Sequence, residues 1–458
     1  MVIRILCLLW LSLLTGSPAA GAEPRQDRCV VLISIDGLAG FYFDDPLADM
    51  PTLRRLAAEG ARAEGLVCSF PTVTWPNHTT LVTGVPPARH GVLGNNYLDR
   101  TSGEKIALIP DPLFDKDQIV LSPTIYDAAH NAGLSTAGIV WPATRNARTL
   151  DWTVPDMGGD GWDKYGTPVW MDELRKDSIP VDKHAEWVKA TGGGVQRDWM
   201  YSRLARHLFE KHPVNLMLIH LVEVDHVQHK FGPRTPEAYW SVSYADDRVR
   251  DIVEAAAASE FAGRTTFVIA SDHGFFPIEK DIRPNVRLRQ LGLVQTDGNN
   301  LKDKQVWCVA QGGGCMVYVL DDDHRSELVQ QLQTELGKLE GVDRVYTADQ
   351  FGEIGQATPA DDARAPDLWL AAKINYSFTD THSGDDVIAA RDSRGGTHGY
   401  RPDQPEMYGT LILAGAGVNP GTNLGVVQSL DVAPTMAALL GIDLPSAEGK
   451  PLSRALGD

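Results

Sequence analysis

Cysteine is scarce in this chain, five in 458 residues, and the spacings match no zinc finger or ribbon. Basic residues are also in short supply: 42 against 60 acidic, a formal net charge of −18. That shortage disfavours a general nucleic-acid scaffold, because affinity for a phosphate backbone is built from clustered Lys and Arg. It still permits an anionic small-molecule substrate, provided bound cations reverse the sign locally. No stretch approaches the roughly 20 apolar residues that a membrane-spanning helix needs. Fixed-period repeats, low-complexity linkers and extended charge runs are missing too, which fits a single folded unit.

What is present begins with the N-terminus. Arg4 precedes a short apolar run, Ile5 to Leu14, and then TGSPAAGA. This layout predicts a cleavable secretory signal over residues 1–22, ending at Ala22, and an exported protein in the periplasm or outside the cell. Removing the signal leaves Cys29, Cys68, Cys308 and Cys315. An oxidising compartment permits disulfides, and WCVAQGGGCMVYV reads as two strands joined by a glycine-rich turn, so a Cys308–Cys315 bond is expected. Asn77-His78-Thr79 also matches a glycosylation sequon.

With 43% hydrophobic residues the remaining 23–458 can bury a large core. Short apolar runs end at polar turns: CVVLISIDG (29–37), LSTAGIVWP (134–142), VNLMLIHLVEVD (214–225), TTFVIASDHG (265–274) and TLILAGAGV (410–418). Runs of this kind suit strands buried on both faces. Helical patterns such as PTLRRLAAEGA, SPTIYDAAHNAG, PEAYWSVSYADDRVRDIVEAAAA and SLDVAPTMAALLG lie between them. The alternation predicts an α/β fold, a mostly parallel central sheet with helices on both faces. Residues from roughly 280 to 395 are less regular and read as an inserted cap over the active-site side.

In such sheets chemistry gathers beyond the carboxyl ends of the strands. Those ends carry Asp36, Asp225 and the pair Asp272-His273. Asp225 and His229 stand four apart, so on a helix they share one face. In GGTHGY, His398 sits between glycines, where backbone can approach an ion closely. His220 and His226 are read as structural. Each fragment alone is weak, but together three carboxylates and three imidazoles form a nitrogen and oxygen donor set that suits a pair of zinc ions.

The order IDG, PTxTxPNHxxLVTG, HGxxxN, D-x-x-x-H, SDHG and G-x-H-G resembles the nucleotide pyrophosphatase/phosphodiesterase branch of the alkaline phosphatase superfamily. The likeness runs from about residue 29 to SLDVAPTMAALLGI and implies an alkaline-phosphatase-like fold. It also implies that Thr74 is a nucleophile, bound with Asp36, Asp272 and His273 to one zinc, while Asp225, His229 and His398 hold a second. Asn95 is implied to hydrogen-bond a phosphoryl oxygen, with the backbone N–H after Thr74 as a further donor. The reaction implied is cleavage of a small phosphodiester or pyrophosphate through a phosphothreonine that water then hydrolyses. Trp75 is a candidate wall for a stacked base, and Arg145, in VWPATRNAR, a candidate phosphate or carboxylate contact. Thr72, Thr79 and Thr80 are read as turn or capping residues.

Three alternatives bear on this reading. A sulfatase needs C/S-x-P-x-R, and Ser69-Phe70-Pro71-Thr72-Val73 has valine in place of arginine. A phosphomonoesterase or phosphonate hydrolase of the same superfamily carries extra Lys or Arg, whereas Trp141-Pro142 fits the diesterase pattern. An inactive exported binding protein is expected to have lost ligands or nucleophile, and all are present.

Overall fold

The computed structural model describes residues 23–109 and 113–457; the expected signal segment lies outside the described residues. Five strands run parallel: β1 (Cys29–Ile35), β2 (Thr136–Ile139), β3 (Trp152–Val154), β4 (Leu216–Leu221) and β5 (Thr265–Ala270). Their order across the sheet is β5-β1-β4-β2-β3. A separate antiparallel sheet is built from β6 (Val306–Gln311), β7 (Gly314–Val319), β8 (Val342–Thr347) and β9 (Leu368–Ala372). The chain then returns to the central sheet as β10 (Leu411–Gly415), antiparallel beside β5. Two short strands, Ala61–Arg62 beside β10 and Thr422–Asn423 at the edge, complete eight strands in a mixed sheet.

The strand register explains why the apolar runs are continuous. Ile33 lies between Ile219 and Ile269, and Leu32 between Leu218 and Val268. Because successive side chains alternate faces, each strand feeds two cores. Helices α1 (Pro51–Glu59), α2 (Thr74–Thr83), α3 (Gly193–Lys211), α4 (Glu223–Phe231), α5 (Pro236–Ala257) and α6 (Val432–Leu440) cover them. Val31, Ile33 and Ile35 pack with Leu53 of α1, Leu204 of α3 and Val242 of α5. Val30 and Leu32 share the other core with Leu81 of α2 and Met436 of α6. Burying each such aliphatic side chain is worth roughly 1.5–3 kcal/mol, so both faces hold the sheet rigidly.

The antiparallel sheet has its own apolar interior, which includes Phe70, Leu93 and Leu98 from the loops around α2. Phe70 meets Trp369 of β9 edge-on, with ring centroids 5.1 Å apart. The expected Cys308–Cys315 disulfide is not formed, and all four described cysteines are free and buried. The hairpin register gives the reason: Cys308 faces Val317 and Cys315 faces Ala310. The two cysteines are therefore diagonal neighbours, farther apart than the directly opposed pair that a disulfide spans.

Candidate active site

Parallel strands that end together bring their following residues to one edge. Asp36 follows β1, and its N–H donates to Leu221 O at the end of β4 (2.9 Å). Asp272 and His273 come just after β5, and Gly37 N–H donates to Asp272 Oδ1 (3.2 Å). Since β4 stops at Leu221, Asp225 is not a strand-end residue; it lies in the first turn of α4, with His229 one turn later. His398 arrives from the segment after Gly396–Thr397, a strand paired with Phe276–Ile282.

The side chains converge as two overlapping groups. His273 Nε2 lies 3.2 Å from Asp36 Oδ1 and 3.1 Å from Asp272 Oδ2. Asp225 Oδ1 lies 3.2 Å from His229 Nε2 and 3.5 Å from His398 Nε2, and those two nitrogens are 3.1 Å apart. The rings of His273 and His398 stack at 3.6 Å, so His273 stands within ligand reach of both groups. Each imidazole has its other nitrogen against a backbone carbonyl: His229 Nδ1 at Gly396 O (3.1 Å), His273 Nδ1 at Gly274 O (3.1 Å) and His398 Nδ1 at Thr72 O (2.8 Å). A carbonyl only accepts, so Nδ1 carries a proton in all three, and Nε2 is the nitrogen each ring turns toward the carboxylates. This is the orientation a metal-ligating histidine takes from its outer partners.

The cluster is short of positive charge. Burial, then the charge of Asp36, pushes Asp272 well above the usual carboxylate range. Burial acts the same way on Asp36, but His220 and His273 outweigh it and hold that carboxyl well below the range. Burial would lower His273, yet Asp272 and Asp36 raise it to about 9. His398 is lowered to about 3 by burial and by the charges of His273 and His229. Asp36 Oδ1, Asp225 Oδ1, Asp272 Oδ2 and His273 Nε2 are all buried without a hydrogen-bond partner. Buried polar atoms are normally paired, and several unpaired acceptors aimed at one space mark a cation site.

Thr74 opens α2 and lines the same cleft, of about 320 Å³, as Asp36, Asn95, Asp225, His229 and His398. Asn77, one turn into the helix, is fully buried and clamps the preceding loop. Its amide accepts from Ser69 N–H (2.6 Å) and donates to Ser69 O, Pro71 O and Val73 O. The sequon at Asn77 is therefore closed to glycosylation. The Trp75 N–H, expected to face a phosphoryl oxygen, instead donates to Asn95 Oδ1 (2.9 Å). That bond fixes the Asn95 amide and leaves its Nδ2 as the donor available to the cleft.

Two expected substrate contacts lie elsewhere. Trp75 is fully buried among Val92, Leu108, Ile119 and Ala143, so its ring presents no open stacking face. Arg145 reaches Asp115 (2.8 Å) and lies over the Tyr165 ring, and it does not line the cleft. Three contributors had no sequence signal. His220 holds Asp36 Oδ2 (2.9 Å), and only its register beside Ser34 on β1 marks it. Gln311, at the end of β6, accepts from Asn95 N–H (3.0 Å) and donates to Asn96 O (2.8 Å). Thr72, read as a turn residue, joins the His398 segment through its carbonyl and through its hydroxyl, which accepts from Gly399 N–H (3.0 Å).

Residues 30–401 match the family model described as type I phosphodiesterase / nucleotide pyrophosphatase. The chain belongs to this family. Among its relatives, a pyrophosphatase/phosphodiesterase of Schizosaccharomyces pombe is 23% identical, over 97% of this chain and 83% of that protein. Human ectonucleotide pyrophosphatase/phosphodiesterase family member 7 is 24% identical, over 96% and 86%. Among solved structures, an inactive murine ectonucleotide pyrophosphatase/phosphodiesterase 5 in complex with AMP superposes with a TM-score of 0.67 at 18% identity, covering 94% of this chain and all of that one. The phosphodiesterase family thus shares this alkaline-phosphatase-like α/β fold, and its reaction class is hydrolysis of phosphodiester and pyrophosphate bonds. Among the described residues no helix is long and apolar enough to cross a membrane.

Proposed function

We propose that the protein is an exported phosphodiesterase/nucleotide pyrophosphatase that works with two zinc ions and uses Thr74 as nucleophile. Asp36, Asp272, His273 and Thr74 would hold one ion, and Asp225, His229 and His398 the other. The observation that carries this reading is the convergence of buried carboxylate oxygens and imidazole Nε2 atoms that meet chiefly one another. Nitrogen and oxygen donors without a thiolate are a set that zinc accepts. When bound, the ions supply Lewis acidity that lowers the pKa of a hydroxyl and offsets the charge of the substrate.

The protein's own residues then account for the bond changes. Thr74 Oγ1 forms a bond to phosphorus as the bond to the leaving oxygen breaks, giving a phosphothreonine. Water next forms a bond to phosphorus, the Oγ1–P bond breaks, and the threonine hydroxyl is restored. Asn95, its carbonyl occupied by Trp75 N–H, directs its Nδ2 donor to a non-bridging oxygen. Arg145, engaged at Asp115, does not line the cleft and so does not itself supply the extra charge that a phosphomonoester dianion would favour.

The purified protein is expected to hydrolyse bis-p-nitrophenyl phosphate much faster than p-nitrophenyl phosphate; the reverse preference would sink the diesterase reading. Thr74→Ala should abolish turnover while the protein keeps most of its zinc by elemental analysis. Substantial residual activity would rule Thr74 out as nucleophile.

A further inference from the structure

Besides the metal-ligand candidates, the cleft is lined by Ile109, Met157, Val188, Asp156, His226 and Arg197. Arg197 sits early in α3 and is half-buried. Its Nη2 lies 3.2 Å from Nδ1 and 3.3 Å from Nε2 of His226, and its Nε is buried without a hydrogen-bond partner. Among the described residues no carboxylate lies within 4 Å of its guanidinium, and unlike Arg203 and Arg283, which lack one too, Arg197 lines the cleft. Arg197 also borders the adjoining hollow lined by Gly192, Gly194 and Glu223, so it stands on the partition between the two spaces.

The acids near Arg197 do not neutralise it by contact. Asp198 uses its two oxygens on the N–H groups of Val222 (2.8 Å) and Glu223 (3.0 Å). Burial raises the Asp156 carboxyl above its usual range. A guanidinium keeps its charge throughout and presents a planar fork that matches phosphate or carboxylate. A cation on the cleft wall with no carboxylate in direct contact is placed to take a ligand of opposite sign.

We infer that Arg197 is a specificity-determining residue that receives a second anionic group, a phosphate or carboxylate, carried by one substituent of the scissile phosphate. This rests on the diesterase reading and narrows it. The scissile phosphate is accounted for by Asn95 and the cation site, which leaves Arg197 for what lies beyond it. Substituents ending in a quaternary ammonium are disfavoured there, and those ending in an anion are preferred.

The test compares kcat/KM for ATP, which carries further phosphates, with kcat/KM for bis-p-nitrophenyl phosphate, which has no second anion. In Arg197→Gln the ratio should fall by about tenfold to 100-fold, the worth of a charge-assisted hydrogen bond, and Arg197→Lys should restore part of it. An unchanged ratio, whether both activities fall together or neither falls, would overturn the role of Arg197 while leaving the diesterase reading intact. Wild-type protein that hydrolyses bis-p-nitrophenyl phosphate but not ATP would overturn it as well. Failure of the wild type on bis-p-nitrophenyl phosphate would defeat the parent reading, and this inference with it.

Discussion

In FPTVTWPNHTTLVTG the residues divide by where their polar atoms go. Thr79 and Thr83 return their hydroxyls to the carbonyls of Trp75 and Thr79, one turn back, while Thr80 meets His90 Nε2 (3.1 Å). Only Thr74 stands in the cleft wall. His90 is a useful probe of this packing because its state is fixed. Its Nδ1 accepts from Val92 N–H (3.1 Å), so Nε2 carries the proton and the ring is neutral. Burial lowers its pKa from the ordinary 6.5 to about 3. A depressed histidine binds fewer protons folded than unfolded, so its contribution is fully present above about 6.5 and is lost as pH falls toward 3. Thermal or urea unfolding should therefore show stability dropping by up to about 1.4 kcal/mol per pH unit from this residue across that window. His90→Gln should flatten the slope there; an unaltered slope would mean that His90 is not held neutral.

At the scale of elements, the turn between β6 and β7 reaches out of the antiparallel sheet into the active site. Gln311 clamps the Asn95 loop, and Gly313 N–H donates to His398 O (2.7 Å). Gly399 has a φ of 90°, and a Cβ there would lie 1.8 Å from Gln311 O, so the approach demands glycine on steric grounds. One hairpin thereby sets both the Asn95 loop and the His398 segment. Gln311→Ala removes the acceptor of a part-buried N–H. The expected cost is about 1–3 kcal/mol of stability in urea titrations, with kcat falling by up to about 10²-fold, the effect of misplacing one oxyanion donor. Full activity in Gln311→Ala would show that Asn95 keeps its place without the hairpin.

At the scale of the whole molecule, an acidic chain keeps three carboxylates together at the rim of its sheet. On the proposed function the folded state should bind cations that the unfolded chain holds poorly, and metal should stabilise it by mass action. Treatment with a strong chelator is expected to abolish diester hydrolysis and to lower the melting temperature, with zinc restoring both. An unchanged melting temperature after zinc is shown to have left would contradict a cation site at this cluster.

The amino-acid sequence alone determined the alternation of strands and helices, because residues buried on both sides of a sheet must be apolar without interruption. It also determined the candidate ligand types, because Asp36, Asp225, Asp272 and the histidines stand in short motifs whose spacing is local: an i, i+4 pair, a strand end, a glycine loop. What joins those motifs is not local. The register of β1 against β4 and β5 put His220 beside Asp36, and the β6–β7 turn brought Gln311 to Asn95 across 216 residues. The burial of Trp75 and the turning of Arg145 to Asp115 were likewise decided by packing, since an aromatic or an arginine in a motif has no local rule for which way it faces. Tertiary structure alone placed Arg197 on the cleft wall, for a lone cation within a helix gains its meaning only from what surrounds it in space.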